Sequence, residues 1–79
     1  MTTTPAWRIV YDDIRRQIDS GELRPGDQLP STAGLVAQYS NLTPRGALSP
    51  GTVRRAVQAL QDQGYLTGWP GLGVYVAKR

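Results

Sequence analysis

Arg54, Arg55 and Gln58 lie within two helical turns of one another, and Ser49 and Thr52 stand just ahead of them. Arginine can bond a guanine edge bidentately. Glutamine can do so at adenine, and threonine suits a phosphate or a thymine methyl. On one helix these types make a reading face for double-stranded nucleic acid. Enzyme chemistry is harder to assemble. The 79 residues include no cysteine and no histidine. That excludes disulfides, thiolate zinc sites, Cys nucleophiles and imidazole ligands or bases. Asp12, Asp13 and Asp19 have no evident pocket or partner for acid–base work and read as helix-surface charges. No catalytic residue, metal or cofactor is expected.

The net charge is +3, unevenly spread. Residues 1–27 hold Arg8, Arg15, Arg16 and Arg24 against Asp12, Asp13, Asp19, Glu22 and Asp27. Residues 28–79 hold Arg45, Arg54, Arg55, Lys78 and Arg79 against Asp62 alone. A basic C-terminal part suits a polyanionic partner, although +3 by itself also fits an ordinary solubility charge. No apolar run approaches the ~20 residues of a membrane span, and the N-terminus lacks the regions of a secretory signal. At this length one small domain is expected, burying about 60 % of its unfolded surface.

The elements that would position these side chains follow from period and punctuation. Residues 1–4 read as flexible and residues 5–79 as the domain. Thr4-Pro5 reads as an N-cap with proline at the first helical position. Trp7, Val10, Tyr11, Ile14 and Ile18 form one stripe of a first helix over about residues 5–20, stopped at Ser20-Gly21. Pro25-Gly26 is a turn pair, Leu23 and Leu29 tuck onto the first helix, and Gln28-Leu29 reads as a very short strand. Ser31 caps a second helix over about 31–39, with Leu35, Val36 and Tyr39 inward. Asn41–Leu48 is a loop with Arg45 at its middle. Ser49-Pro50 starts a third helix that runs to about Gln63, with Gly64 as its stop and Val53, Ala56, Val57 and Leu60 buried. Tyr65–Thr67 and Val74–Ala77 read as a hairpin around a Trp-Pro-Gly tip, with Trp69 packed back on the third helix or on Tyr75. The fold class is mainly α with a small β-hairpin (α+β): a winged helix-turn-helix. Trp7, Tyr11, Ile14, Ile18, Leu35, Val53, Val57, Leu60, Leu66 and Val76 are expected in the core.

Three blocks carry a family resemblance over about residues 7–77. The first runs Tyr11…Ile14…Ile18…Ser20-Gly21…Leu23…Pro25-Gly26-Asp27-Gln28-Leu29-Pro30-Ser31. The second is Leu48-Ser49…Thr52-Val53-Arg54-Arg55-Ala56-Val57…Leu60…Gly64-Tyr65-Leu66. The third is Gly71-Leu72-Gly73-Val74-Tyr75-Val76. Any one block is weak, but together at these separations they resemble the N-terminal DNA-binding domain of GntR-type bacterial transcription regulators.

The resemblance implies a winged helix that binds operator DNA, as a homodimer on an inverted repeat. A cytoplasmic, nucleoid-associated regulator is expected, with repression as its expected role and activation left open by the sequence. Ser49 and Thr52 match family positions that touch phosphates or bases, Arg54 matches an arginine that reads guanine, and Gly71 matches a wing position at the minor groove. The residues expected at DNA are Ser31, Thr32, Arg45, Ser49, Gly51, Thr52, Arg54, Arg55, Gln58, Pro70 and Gly71. Ser31 and Ser49 are also caps, a role compatible with phosphate contact. The chain departs from the family pattern at Ala33, where the family has arginine, and at Pro50, which follows Ser49 where the family has Ser-Arg. Its wing holds Gly68, Trp69 and Leu72 in place of basic residues, and Asn41–Ala47 lengthens the turn between the second and third helices. Family members usually continue into an effector-binding domain that also forms the dimer, so no effector is expected for this domain alone. The alternative reading is a winged helix used for protein or RNA contact through the apolar wing tip.

Overall fold

The computed structural model describes residues 5–43 and 48–78. Its elements are α1 (Ala6–Ser20), α2 (Thr32–Tyr39), α3 (Pro50–Asp62), β1 (Leu66–Trp69) and β2 (Gly73–Val76). The strands form an antiparallel hairpin, the wing, pairing Leu66 with Val76, Thr67 with Tyr75, Gly68 with Val74 and Trp69 with Gly73. No described helix is long and apolar enough to cross a membrane.

The helix starts follow the local chemistry, with one correction. Ser31 Oγ accepts from the Gly34 amide at 3.1 Å, and Ser49 Oγ accepts from the Thr52 amide at 3.2 Å. Each satisfies one of the orphan donors of a first turn. Pro50 occupies the first turn of α3 as expected. At α1 the proline sits one step further out. Pro5 is itself the N-cap, with ψ 149°, and its carbonyl accepts from the Arg8 and Ile9 amides. An extended ψ removes Pro5 from the helix, and Thr4 lies outside the described residues. At the other end of α3, Gly64 adopts φ +83° and the Tyr65 amide bonds back to the Leu60 carbonyl at 2.9 Å. That left-handed residue aims the chain from α3 into the wing. It also explains why β1 begins at Leu66 rather than Tyr65, whose amide still belongs to the helix exit.

The core gathers the inward stripes. Val10, Tyr11 and Ile14 of α1 meet Leu35 and Tyr39 of α2, Val53, Ala56 and Leu60 of α3, and Leu66 and Val76 of the wing, all buried together with Leu29. Trp7, Ile18 and Val57 are only partly buried at its margin. The expected short strand is a single bridge, Gln28 with Tyr75, on the free edge of β2. Three hydrogen bonds around it stitch that edge. Gly26 and Leu29 donate to the Val76 and Val74 carbonyls, and Val76 donates to Asp27. The wing is thereby anchored to the segment that leads into α2.

Asp13 is not a free surface charge. Its Oδ2 accepts from the Tyr39 hydroxyl at 2.6 Å and from Gln17 Nε2 at 2.7 Å, and its Oδ1 pairs with Arg16 at 2.8 Å. Tyr39 is 1 % exposed. Its phenol needs an acceptor, and Asp13 is one helix turn ahead of Gln17 on the facing helix. Burial raises the Asp13 pKa, but the hydrogen bonds from Tyr39, Arg16 and Gln17 outweigh it and hold the carboxyl below its ordinary 3.8. A depressed folded-state pKa adds stability that is present above the unfolded value and lost as pH falls through the folded one. Tyr39→Phe is therefore expected to cost about 2 kcal/mol at neutral pH. The gap to wild type should narrow as pH drops below 4. Thermal melts of both proteins at neutral and acid pH test this; a pH-independent gap would remove Asp13 from the account.

Candidate nucleic-acid interface

A concavity opens between the start of α2, the outer face of α3 and the wing turn. Ser31, Thr32, Arg54, Gln58, Gln61 and Gly71 are among its described lining residues. The cause is helical periodicity. With Val53, Ala56 and Leu60 buried, Arg54, Gln58 and Gln61 at i, i+4 and i+7 form the adjacent stripe. Ser31 places the first turn of α2 at one rim, and the hairpin turn brings Gly71 to the other.

Charge distinguishes this face from α1. On α1, Arg8 pairs with Asp12 at 3.2 Å, Arg15 with Asp19 at 3.8 Å, and Arg16 with Asp13 and Glu22. Among the described residues, neither Arg54 nor Arg55 pairs with a carboxylate. The basic arginines of α3 are thus left for an external anion.

The expected site residues do not all converge. Five of them, Ser31, Thr32, Arg54, Gln58 and Gly71, line the concavity. Ser49, Gly51 and Thr52 stand at the exposed start of α3, outside that lining. Ser49 Oγ and Thr52 Oγ1 are 3.0 Å apart, and only one of their two hydroxyl protons is used between them. The other remains available to an acceptor such as a phosphate oxygen. Arg55 turns toward α1, its guanidinium 5.1 Å from the Trp7 ring centroid. Trp7 in turn meets Tyr11 edge-on at 6.0 Å, so the ring beneath Arg55 is held in place. Gln58 is engaged: its Nε2 donates to Asp62 Oδ1 at 2.9 Å. The second Nε2 hydrogen and the Oε1 acceptor remain for another partner. Pro70 is exposed in the wing turn beside Gly71. Arg45, with residues 44–47, lies outside the described residues.

Of the two places expected for Trp69, on the third helix or on Tyr75, the register removes the first and leaves Trp69 on the same face as Tyr75. The register puts Leu66, Gly68, Val74 and Val76 on the core side and Trp69 with Thr67 and Tyr75 on the outer side. Trp69 is 56 % exposed there, and Leu72 is 65 % exposed beside it. Gln28 and Gln61, which line the concavity, were absent from the expected set. The i+7 spacing from Arg54 points to Gln61 in the sequence, whereas nothing local points to Gln28.

Comparison with known proteins supports the same assignment. The model of the bacterial regulatory proteins, gntR family, matches residues 8–76. The mannosyl-D-glycerate transport/metabolism system repressor MngR of Escherichia coli is 39 % identical over 72 residues, 91 % of this chain and 27 % of that protein. The histidine utilization repressor of Klebsiella aerogenes is 38 % identical over 74 residues, 94 % of this chain and 28 % of that protein. The chain thus spans little more than a quarter of the length of these relatives. AraR(DBD), whose crystal structure is a complex with operator ORR3, superposes with a TM-score of 0.83 at 28 % identity, over 96 % of this chain and 83 % of that one. The helix order, the wing and the matched sequence agree, and the chain belongs to the gntR family of bacterial regulatory proteins.

Proposed function

We propose that this chain is a sequence-specific, double-stranded DNA-binding domain of a transcription regulator. It places α3 in the major groove and the wing turn at the adjacent minor groove. The observation that carries the reading is Arg54: exposed, without a carboxylate partner among the described residues, and set in a concavity framed by the start of α2 and the wing. In this reading Arg54 bonds a base edge, with Gln58 beside it. Ser31, Thr32, Ser49, Gly51 and Thr52 lie along the backbone, where helix starts favour phosphate. Pro70 and Gly71 approach the minor groove, and Arg45 is assigned to the phosphate backbone. The repressors among its relatives and the operator complex of AraR(DBD) support the regulatory role. Repression, a homodimer on an inverted repeat, a cytoplasmic location and the absence of catalysis belong to the same proposal.

A backbone NMR titration with duplexes selected from a random-sequence pool tests it. Shifts should cluster at Ser31–Thr32, Ser49–Gln58 and Pro70–Gly71, and the affinity should fall steeply between low and moderate salt as counterions are released. Trp69 and Leu72 favour one rival, a protein partner seated on the outer wing face. Binding there would be far less salt-sensitive, and a duplex titration that left Ser31–Thr32, Ser49–Gln58 and Pro70–Gly71 unshifted even at low salt would favour that reading over the DNA one.

A further inference from the structure

The wing is a two-stranded ribbon, an element that is only marginally stable without support. The segment before α2 supplies support along the free edge of β2, ending with the Leu29 amide on the Val74 carbonyl at 2.8 Å. There the backbone ladder stops. Pro30 has no N–H, and Ser31 turns away to cap α2. The next acceptor toward the wing turn is the Leu72 carbonyl, and a side chain serves it: Gln28 Nε2 donates to it at 3.0 Å.

The fit of this amide depends on a bare backbone. A Cβ on Gly73 would stand 2.8 Å from Gln28 Nε2, and Gly73 also holds φ +118°. On the α3 side the wing shows a matching contact. A Cβ on Gly68 would stand 2.5 Å from Gln61 Nε2, so Gln61 lies against uncovered strand. Two glutamines from different elements therefore seat on two glycines of the wing, one at the turn and one against α3.

We propose that Gln28 is a positioning residue for DNA binding. It replaces the missing backbone donor at the end of the ladder and holds the turn that carries Gly71 at a set distance from Arg54. The proposal rests on the DNA-binding reading above and adds a residue to it that touches neither base nor phosphate. Without the bond, Leu72 loses its external anchor. The turn then rests on bonds within the wing itself: the Leu72 amide to the Trp69 carbonyl at 3.0 Å, and the long contact of the Tyr75 hydroxyl with the Leu72 carbonyl at 3.5 Å.

Gln28→Met tests this, because methionine keeps length and bulk and removes the side-chain amide that makes the bond. In the free domain, amide hydrogen exchange at Leu72 and Gly73 should quicken about 2- to 12-fold, as expected for one lost hydrogen bond, while amides of α1 and α3 keep their protection. Affinity for a duplex selected with the wild-type domain should fall by a similar factor. Gln61→Met, which alters the contact with Gly68 but spares the Leu72 carbonyl, should leave the Leu72 amide unchanged. Uniformly faster exchange throughout the domain would make Gln28 a general stability residue and overturn the proposal. Unchanged exchange at Leu72 would overturn the clamp itself. A loosened turn with undiminished duplex affinity would overturn its role in binding. If the wild-type domain bound no selected duplex, the DNA-binding reading would fail, whatever the wing amides showed.

Discussion

Leu60→Ala is expected to lower the stability of this domain by about 2–5 kcal/mol. Leu60 is 0 % exposed on α3, the element that packs against α1, α2 and β1 alike. Truncation to alanine deletes an isopropyl group from the core these elements share and leaves a cavity that they can only partly close. A chain of this size has only about 4–12 kcal/mol of stability in total, so one side chain accounts for a large share. The midpoint of thermal unfolding should drop by roughly 10–30 °C. Leu72→Ala supplies the contrast. The same atoms are deleted at a site that is 65 % exposed, and the change should stay within about 0.5 kcal/mol. Melts of the two variants beside wild type decide the matter. A Leu60→Ala midpoint as close to wild type as that of Leu72→Ala would mean that α3 is not the hub of the core.

The same element shows what could be read in advance. Ser49-Pro50 at the start of α3, Gly64 after it and the apolar period between them mark the helix locally, and the structure places it at Pro50–Asp62. The caps at Ser31 and Ser49 and the hairpin were legible for the same reason: each depends on residues within one turn or one strand. What was not legible depends on packing between distant segments. Asp13 looks like any helix-surface carboxylate until Tyr39, 26 positions later, is brought against it. The side taken by Trp69 turns on a one-residue choice of register, since neighbours along a strand face opposite ways. Pairing Trp69 with Gly73 sends the indole outward. Gln28 shows no motif of its own. Its role appears only once β2 lies beside it and Pro30 has ended the ladder. In the site, the placement of Arg54 and Gln58 on one face of α3 was legible, but the division between Arg54 and Arg55 was not. Successive helix residues point about 100° apart. Which of the two faces the concavity depends on where α1 packs.

That division yields the second large effect. Arg54→Ala is expected to reduce the preference for a selected duplex over a scrambled one by about 1–3 kcal/mol, or roughly 5- to 150-fold. Arg54 lines the concavity with no carboxylate partner among the described residues, so a base edge would be its principal acceptor. Arg55→Ala should behave differently. Its guanidinium is stacked over Trp7, on the α1 side of the helix, where a phosphate rather than a base is within the chemistry of the site. Affinity should fall about equally for both duplexes, and the slope of log affinity against log salt should shrink by about 1. Trp7→Leu should reproduce part of that uniform loss, because an unstacked Arg55 samples more rotamers before it meets the backbone. Anisotropy titrations of the variants against both duplexes at several salt concentrations separate the two arginines. Equal losses on both duplexes for Arg54→Ala would strip it of base reading. A change of preference for Arg55→Ala would show that the Trp7 stack opens in the complex and that both arginines enter the groove. The double substitution adds a further constraint. Two residues on different sides of α3 with different acceptors should contribute independently, so the losses should add to within about 0.5 kcal/mol. A clear shortfall would mean that they share a partner on the DNA.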